Sequence, residues 1–291
     1  VGAGTEHDDD TTRAGTPEGD GTEASQGERA ARTAVGVSRR RLLTTTLSAA
    51  ALAAASTYAA SDAVAHRPRK HSPTYRVCPR PELETARRDA RVVWRGHPAE
   101  RLVCLTFDDG PDPRWTPLVL DLLARHDARA TFFVLGSHVV AHPDVARATA
   151  QQGHEIASHG WDHQDMTVLE QTPLLDEFRR THDAIVEHTG TTPRLVRPPW
   201  GRIDSPGLWA ASEHGYDIAL WSHHLPTDGA AAKVDRDIET ASPGMIVLCH
   251  DGRGTPAESL FVEVERLVAT LTADGYRFVT VSEMLAAPEA P

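Results

Sequence analysis

From Arg101 onward, short apolar runs alternate with longer stretches in which apolar residues recur every three or four positions. Seven runs read as strands: RLVCLTF (101–107), ATFFVLG (130–136), EIASHG (155–160), RLVRPPW (194–200), YDIALW (216–221), GMIVLCHDG (244–252) and YRFVTVSEML (276–285). Between them lie helical patterns at 116–127, 142–154, 173–190, 205–215, 231–241 and 256–275. The third of these closes on Gly190, a residue suited to a helix C-terminus. Strands that are apolar throughout are covered on both faces, and regular alternation with helices gives a parallel sheet. The expectation is an α/β chain, a distorted (β/α) barrel of about seven parallel strands. In such barrels chemistry gathers where strands end at their carboxyl side.

The polar residues obey that rule. Asp108 and Asp109 follow the first strand, and His159 and His163 follow the third. Arg197 to Gly201 follow the fourth, Trp221 with Ser222–His224 the fifth, and His250 the sixth. Two adjacent carboxylates repel, and desolvation raises the pKa of each, so a neighbouring cation is expected. Two histidines four apart, placed on a helical turn, face the same way. With one carboxylate they make a three-ligand set that leaves a position for water on a divalent metal. One aspartate then binds the cation and the other takes a proton from the water. His126, His138, His142, His182 and His188 lie on helical stretches and are assigned no chemistry. Trp161 and Trp200 suit core packing and stacking on a ligand equally.

The first hundred residues differ in kind. Residues 1–37 hold eight acidic side chains against three arginines and almost no large apolar residue, a disordered composition. Residues 38–65 carry Arg39–Arg41, an uncharged run from Leu42 to Ser61, and AVA at 63–65. That is the form of a twin-arginine export signal with a cleavage site, and its Ala-rich core inserts weakly as an anchor. Membrane contact is expected only through this signal, with a secreted or cell-wall-associated product. Residues 66–100 read as a basic, proline-dotted linker, 101–285 as the globular domain and 286–291 as a tail. A net charge of −11 argues against nucleic acid as partner. Of three cysteines, Cys104 and Cys249 face opposite ways on their strands, so no disulfide between them is expected. Oligomeric state is not encoded in any pattern found.

TFDDGP (106–111), HGWDH (159–163), RPPWG (197–201) and LCH (248–250) resemble, in order and spacing, four of the five signature blocks of the NodB-like polysaccharide deacetylase family. The resemblance spans about Arg101 to Leu285. It implies removal of N-acetyl or O-acetyl groups from a glycan, with chitin oligomers or peptidoglycan as substrate. Carried over, it makes Asp108 the catalytic base, Arg197 its partner, and Asp109, His159 and His163 the ligands of one divalent ion. Zinc suits that set, and cobalt, nickel or manganese also fit. The N–H of Trp200 would face the oxyanion, Leu248 would line the acetyl pocket, and His250 would protonate the leaving amine. The remaining block departs: LWSHHLPTDG (220–229) keeps Trp221 but lacks the family's aspartate-rich continuation. Asp228 or His224 is left as neighbour to His250. An O-acetyl xylan-type esterase and a non-catalytic glycan-binding protein are the alternatives, the second resting on that altered block alone.

Overall fold

The computed structural model describes residues 89–227, 229–252 and 258–290. The acidic segment, the export signal, residues 66–88, Cys78 and Asp228 lie outside the described residues. No helix among the described residues is long and apolar enough to cross a membrane.

A nine-stranded sheet forms the centre, and its named strands all pair in parallel. The longest strand, β2 (Leu102–Asp108), is buried at every position. It lies between β3 (Ala130–Val134) and β8 (Ile246–His250). Beyond β3 come β4 (Glu155–Ser158), β5 (Leu195–Val196), β6 (Asp217–Ala219) and β1 (Val92–Val93). On the other side β8 is flanked by β7 (His223–His224), and β9 (Arg277–Phe278) pairs with the start of β2. The hydrogen-bonded path is open, with β7 at one end and β6, carrying β1 on its free edge, at the other. Only Leu220–Ser222 separate β6 from β7 in the chain. Leu220 N–H donates to Val93 in β1, and Ser222 N–H to Ile246 in β8. One run of chain therefore crosses the gap and closes the ring covalently. This is the distorted barrel.

Alternation along β2 sorts its side chains. Val103, Leu105 and Phe107 pack outward under the helices, with Phe107 stacked on Phe132 at 5.1 Å. Cys104 packs inside with Phe133, Ala157, Leu195, Ala219 and Ile246. Cys249 belongs to the outer core, so the two buried thiols are free, as their opposite facing requires. The helices are α1 (Thr116–Arg125), α2 (Gly136–Ala141), α3 (Pro143–Gln151), α4 (Gln171–Thr189), α5 (Ser205–Glu213), α6 (Ala230–Glu239), α7 (Glu258–Ala273) and α8 (Val281–Ala286). On α4, Leu174, Phe178, Thr181 and Ile185 form the buried stripe, and Gly190 caps its end.

Four expectations need correction. The sheet has nine strands rather than about seven, because β1 and β7 are two residues each and leave no pattern to read. The stretch 66–100 is not all linker: Val92–Val93 pair with Ile218–Ala219, and Arg91 forms a salt bridge to Asp217. Of the stretch 286–291 expected as a tail, residues 286–290 are tied to the domain, since Ala286 ends α8, Glu289 bridges Pro98 and Ala290 N–H donates to His97 O. Finally, 276–285 is a strand only at its start. Thr280 and Glu283 form a capping box and turn the rest into α8, whose Val281 and Met284 pack against the inner core at Leu102 and Cys104.

Candidate metal centre and active site

Arg197 follows β5 and is completely buried. Its Nη1 donates to Asp108 Oδ1 at 2.6 Å and to Thr106 Oγ1 at 2.9 Å. Nε and Nη2 donate to the carbonyls of Ala219 and Leu220, each at 2.9 Å. The guanidinium lies 3.9 Å over the Phe133 ring. Burial draws its pKa down and Asp108 opposes that. A buried ion pair carries a desolvation cost that only dense hydrogen bonding offsets. Here the guanidinium forms four such bonds. Asp108 is thereby fixed at the end of β2, opposite His250 in register.

Asp109 leaves the strand in a left-handed conformation, φ 73°. Its Oδ1 lies 3.5 Å from His159 Nε2 and 3.4 Å from His163 Nε2. One donor atom from each of the three residues falls within 4.8 Å of the others, and all three residues are buried. His159 Nδ1–H donates to the Arg197 carbonyl at 2.6 Å, which fixes the tautomer and turns the Nε2 lone pair toward Asp109. Burial lowers the pKa of His159 against the pull of Asp108, favouring the neutral imidazole that a metal requires. Two imidazole nitrogens and one carboxylate oxygen fit a divalent ion.

The two histidines do not reach this geometry on a helical turn, as their spacing suggested. Residues 159–163 form a loop in which Gly160 (φ 82°) and His163 (φ 57°) are left-handed. A non-glycine residue in that region costs about 1–2 kcal/mol and needs surroundings that enforce it. Those surroundings are the start of α2 and one side chain of α4. Gly136 N–H donates to Gly160 O at 3.0 Å, and Ser137 donates to Trp161 O through its N–H and its hydroxyl. Trp161 N–H donates to Glu177 Oε2 at 2.7 Å. Burial raises the pKa of Glu177, and the Trp161 hydrogen bond opposes it. Sequence reasoning missed Glu177 and Gly136–His138. A glutamate among the apolar positions of α4, one turn before Thr181, was the available signal.

The rest of the pocket, an open cleft of about 270 Å³, is lined by Trp221, His224, Leu248 and His250, with Trp200 beside His163. Trp200 is 52% exposed, left-handed at φ 56°, and its ring stands edge-on to His163 at 4.3 Å. Trp161 instead packs against the core beneath Arg180, 3.8 Å away, so the two tryptophans divide packing and exposure between them. His224 and His250 are perpendicular with centroids 6.0 Å apart. His223 points elsewhere, with its ring nitrogen 2.8 Å from Ser222 Oγ. Under the aspartate loop, buried Asp251 accepts from Thr116 Oγ1 at 2.5 Å. Burial, with Asp109 and Asp108 adding, pushes its carboxyl up to about 7. Gly252 packs so tightly that a Cβ would lie 2.1 Å from Asp109 O, which requires glycine there.

A family model described as polysaccharide deacetylase matches residues 95–219. A peptidoglycan-N-acetylglucosamine deacetylase of Bacillus cereus is 37% identical over 199 residues, covering 67% of this chain and 92% of the relative. The chain belongs to the polysaccharide deacetylase family. Among solved structures of this family, the Bc1960 peptidoglycan N-acetylglucosamine deacetylase superposes with a TM-score of 0.65 at 27% identity, covering 72% of this chain and 99% of that one. The peptidoglycan-N-acetylglucosamine deacetylase PgdA of Listeria monocytogenes is 36% identical over 62% of this chain, which spans only 38% of that longer deacetylase.

Proposed function

We propose that this protein is a divalent-metal-dependent hydrolase that removes N-acetyl groups from an amino-sugar polymer, with peptidoglycan the favoured substrate. The observation that carries this reading is the meeting of Asp109, His159 and His163 with the Arg197-held Asp108 and His250 in one cleft. The names of the relatives supply the polymer. Asp109, His159 and His163 would hold the ion, zinc being well suited to two imidazoles and a carboxylate, and it would supply Lewis acidity toward the acetamide carbonyl and toward water.

The chain's own residues do the rest. Asp108 takes a proton from the water that attacks the acetamide carbon. The N–H of Trp200 faces the oxygen that gains charge, and its exposed indole offers a stacking face for a sugar ring. Leu248 gives the acetyl methyl an apolar wall. As the carbon–nitrogen bond breaks, His250 gives a proton to the departing nitrogen, leaving acetate and a free amine. Export by the twin-arginine-type segment 38–65, with delivery to the cell surface or wall, accords with such a polymer.

Acetate release from peptidoglycan and from acetylated chito-oligomers tests the reading. Release should stop on complete metal removal, return with added zinc, and fall about 10²- to 10⁴-fold in Asp108→Asn. Turnover indifferent to metal removal rejects the metal's role. An acetylated xylan that outcompetes both amino-sugar polymers rejects the substrate.

A further inference from the structure

The ligands come from the ends of two strands that are not neighbours: Asp109 follows β2, His159 and His163 follow β4, and β3 lies between. Leu135 and the first three residues of α2, which follow β3 directly, span that gap. Four consecutive residues, Leu135–His138, donate to the two flanking loops. Leu135 N–H goes to Gly110 O at 2.9 Å, and Gly136 N–H to Gly160 O at 3.0 Å. Ser137 N–H and Oγ go to Trp161 O at 3.2 and 2.9 Å. The His138 ring closes the set, with Nδ1 2.9 Å from Asp109 O. A carbonyl can only accept, so Nδ1 carries the proton.

We propose that His138 is a positioning residue of the metal centre: its Nδ1–H holds the Asp109 carbonyl, and so fixes the reach of the Asp109 carboxylate toward His159 and His163. This rests on the reading of those three residues as ligands. Asp109 occupies a left-handed conformation, which is uncommon for a residue with a Cβ although aspartate tolerates it better than most. The Asp109 carbonyl packs against Gly252, where there is no room for a Cβ, and His138 engages the same oxygen. Removing that donor frees the peptide to rotate toward ordinary φ. The carboxylate moves with it, away from two imidazoles fixed independently by Arg197, Gly136, Ser137 and Glu177. Most of this bridge is backbone and survives substitution. Among these bridge hydrogen bonds, that of His138 is the one to the Asp109 loop that a side-chain change deletes.

Zinc affinity of the full chain, measured by competition with a chromophoric chelator, decides the matter. His138→Leu keeps apolar bulk and loses the donor, and should weaken binding about ten- to a hundredfold. His138→Asn places an amide N–H at the same distance from the backbone as Nδ1 and should bind within a few-fold of wild type. Turnover should follow affinity when zinc is limiting, with KM little changed. Equal zinc affinity in wild type and His138→Leu overturns the proposal while leaving the ligand reading intact. Should wild type itself bind no zinc, the ligand reading falls and this inference falls with it. If His138→Leu does not fold, His138→Asn is compared with His138→Gln, whose amide sits one carbon further out. A tenfold or greater advantage for Asn supports the role, and equal affinities overturn it.

Discussion

The two walls of the cleft are built to different standards. On the metal side the ligands and their loops are held by several bonds: His159 by Arg197 O and Val134 O, the 160–161 peptides by Gly136, Ser137 and Glu177, and Asp109 by His138 and the close packing of Gly252. On the acid side Trp221 and His224 ride on the run that leaves β6, crosses the barrel gap and joins β8 as β7. That run is held by backbone bonds to Val93, Ile246 and Leu248. The departure from the resembled family pattern falls on this second wall, at Ser222–His224 after the retained Trp221. Metal geometry tolerates displacements of only a few tenths of an ångström, so its ligands need partners that orient them. A wall that only shapes and supplies a proton has more freedom to vary.

Arg197 belongs to both walls, and its loss should have the largest effect. Its carbonyl receives His159, while its guanidinium holds Asp108 and the Ala219 and Leu220 carbonyls where the crossing run begins. Arg197→Met leaves Asp108 buried without its cation. That should cost about 3–5 kcal/mol in urea unfolding and abolish acetate release. A variant that unfolds at the wild-type midpoint would show that the walls are independent.

The next test separates local protonation of the metal wall from acid weakening of the whole fold. His154 accepts the Ala130 N–H at 3.3 Å, and burial, with Arg129 adding, pulls it down from 6.5 to about 4. Above 6.5 the native and unfolded chains are both neutral at this site, and its contribution to stability is complete. As pH falls from 6.5 to 4 the unfolded chain takes a proton that the native state refuses. About 3 kcal/mol is lost across that window. His154→Asn can still accept from Ala130 and does not titrate, so unfolding free energies at pH 7 and pH 4 should differ by that much less than in wild type. An unchanged difference would place the acid sensitivity elsewhere, with the buried His159 the first candidate.

What sequence made legible follows from how many residues each feature uses. β2 buries seven residues in a row, and a run of that length reads as a strand covered on both faces. Asp109, His159 and His163 were visible because strand ends repeat at intervals that periodicity reveals. β1 and β7 were not, since two residues carry no period and both depend on partners more than a hundred and about twenty positions away respectively. The left-handed loop at 159–163 looked like a helical turn because four-residue spacing serves either. In sequence His138 reads as one helix-borne histidine among several. Its hydrogen bond is to a backbone atom 29 positions earlier, which no side-chain pattern marks.

The smallest expected effect bears most directly on the contrast between the walls. His224 faces the cleft beside Leu248, its partner in register, and stands edge-on to His250. Burial lowers its pKa, and His250 is the next contributor, so a neutral ring is favoured beside the proposed acid. It is not among the residues whose donor atoms group with Asp109. His224→Ala should therefore leave zinc affinity within about twofold of wild type and lower kcat by no more than about tenfold, some 1.4 kcal/mol of barrier. His138→Leu should show the reverse ranking, with affinity falling first. If His224→Ala loses zinc as readily as His138→Leu does, the acid wall also holds the ligands in place, and the division between a constrained side and a variable side fails.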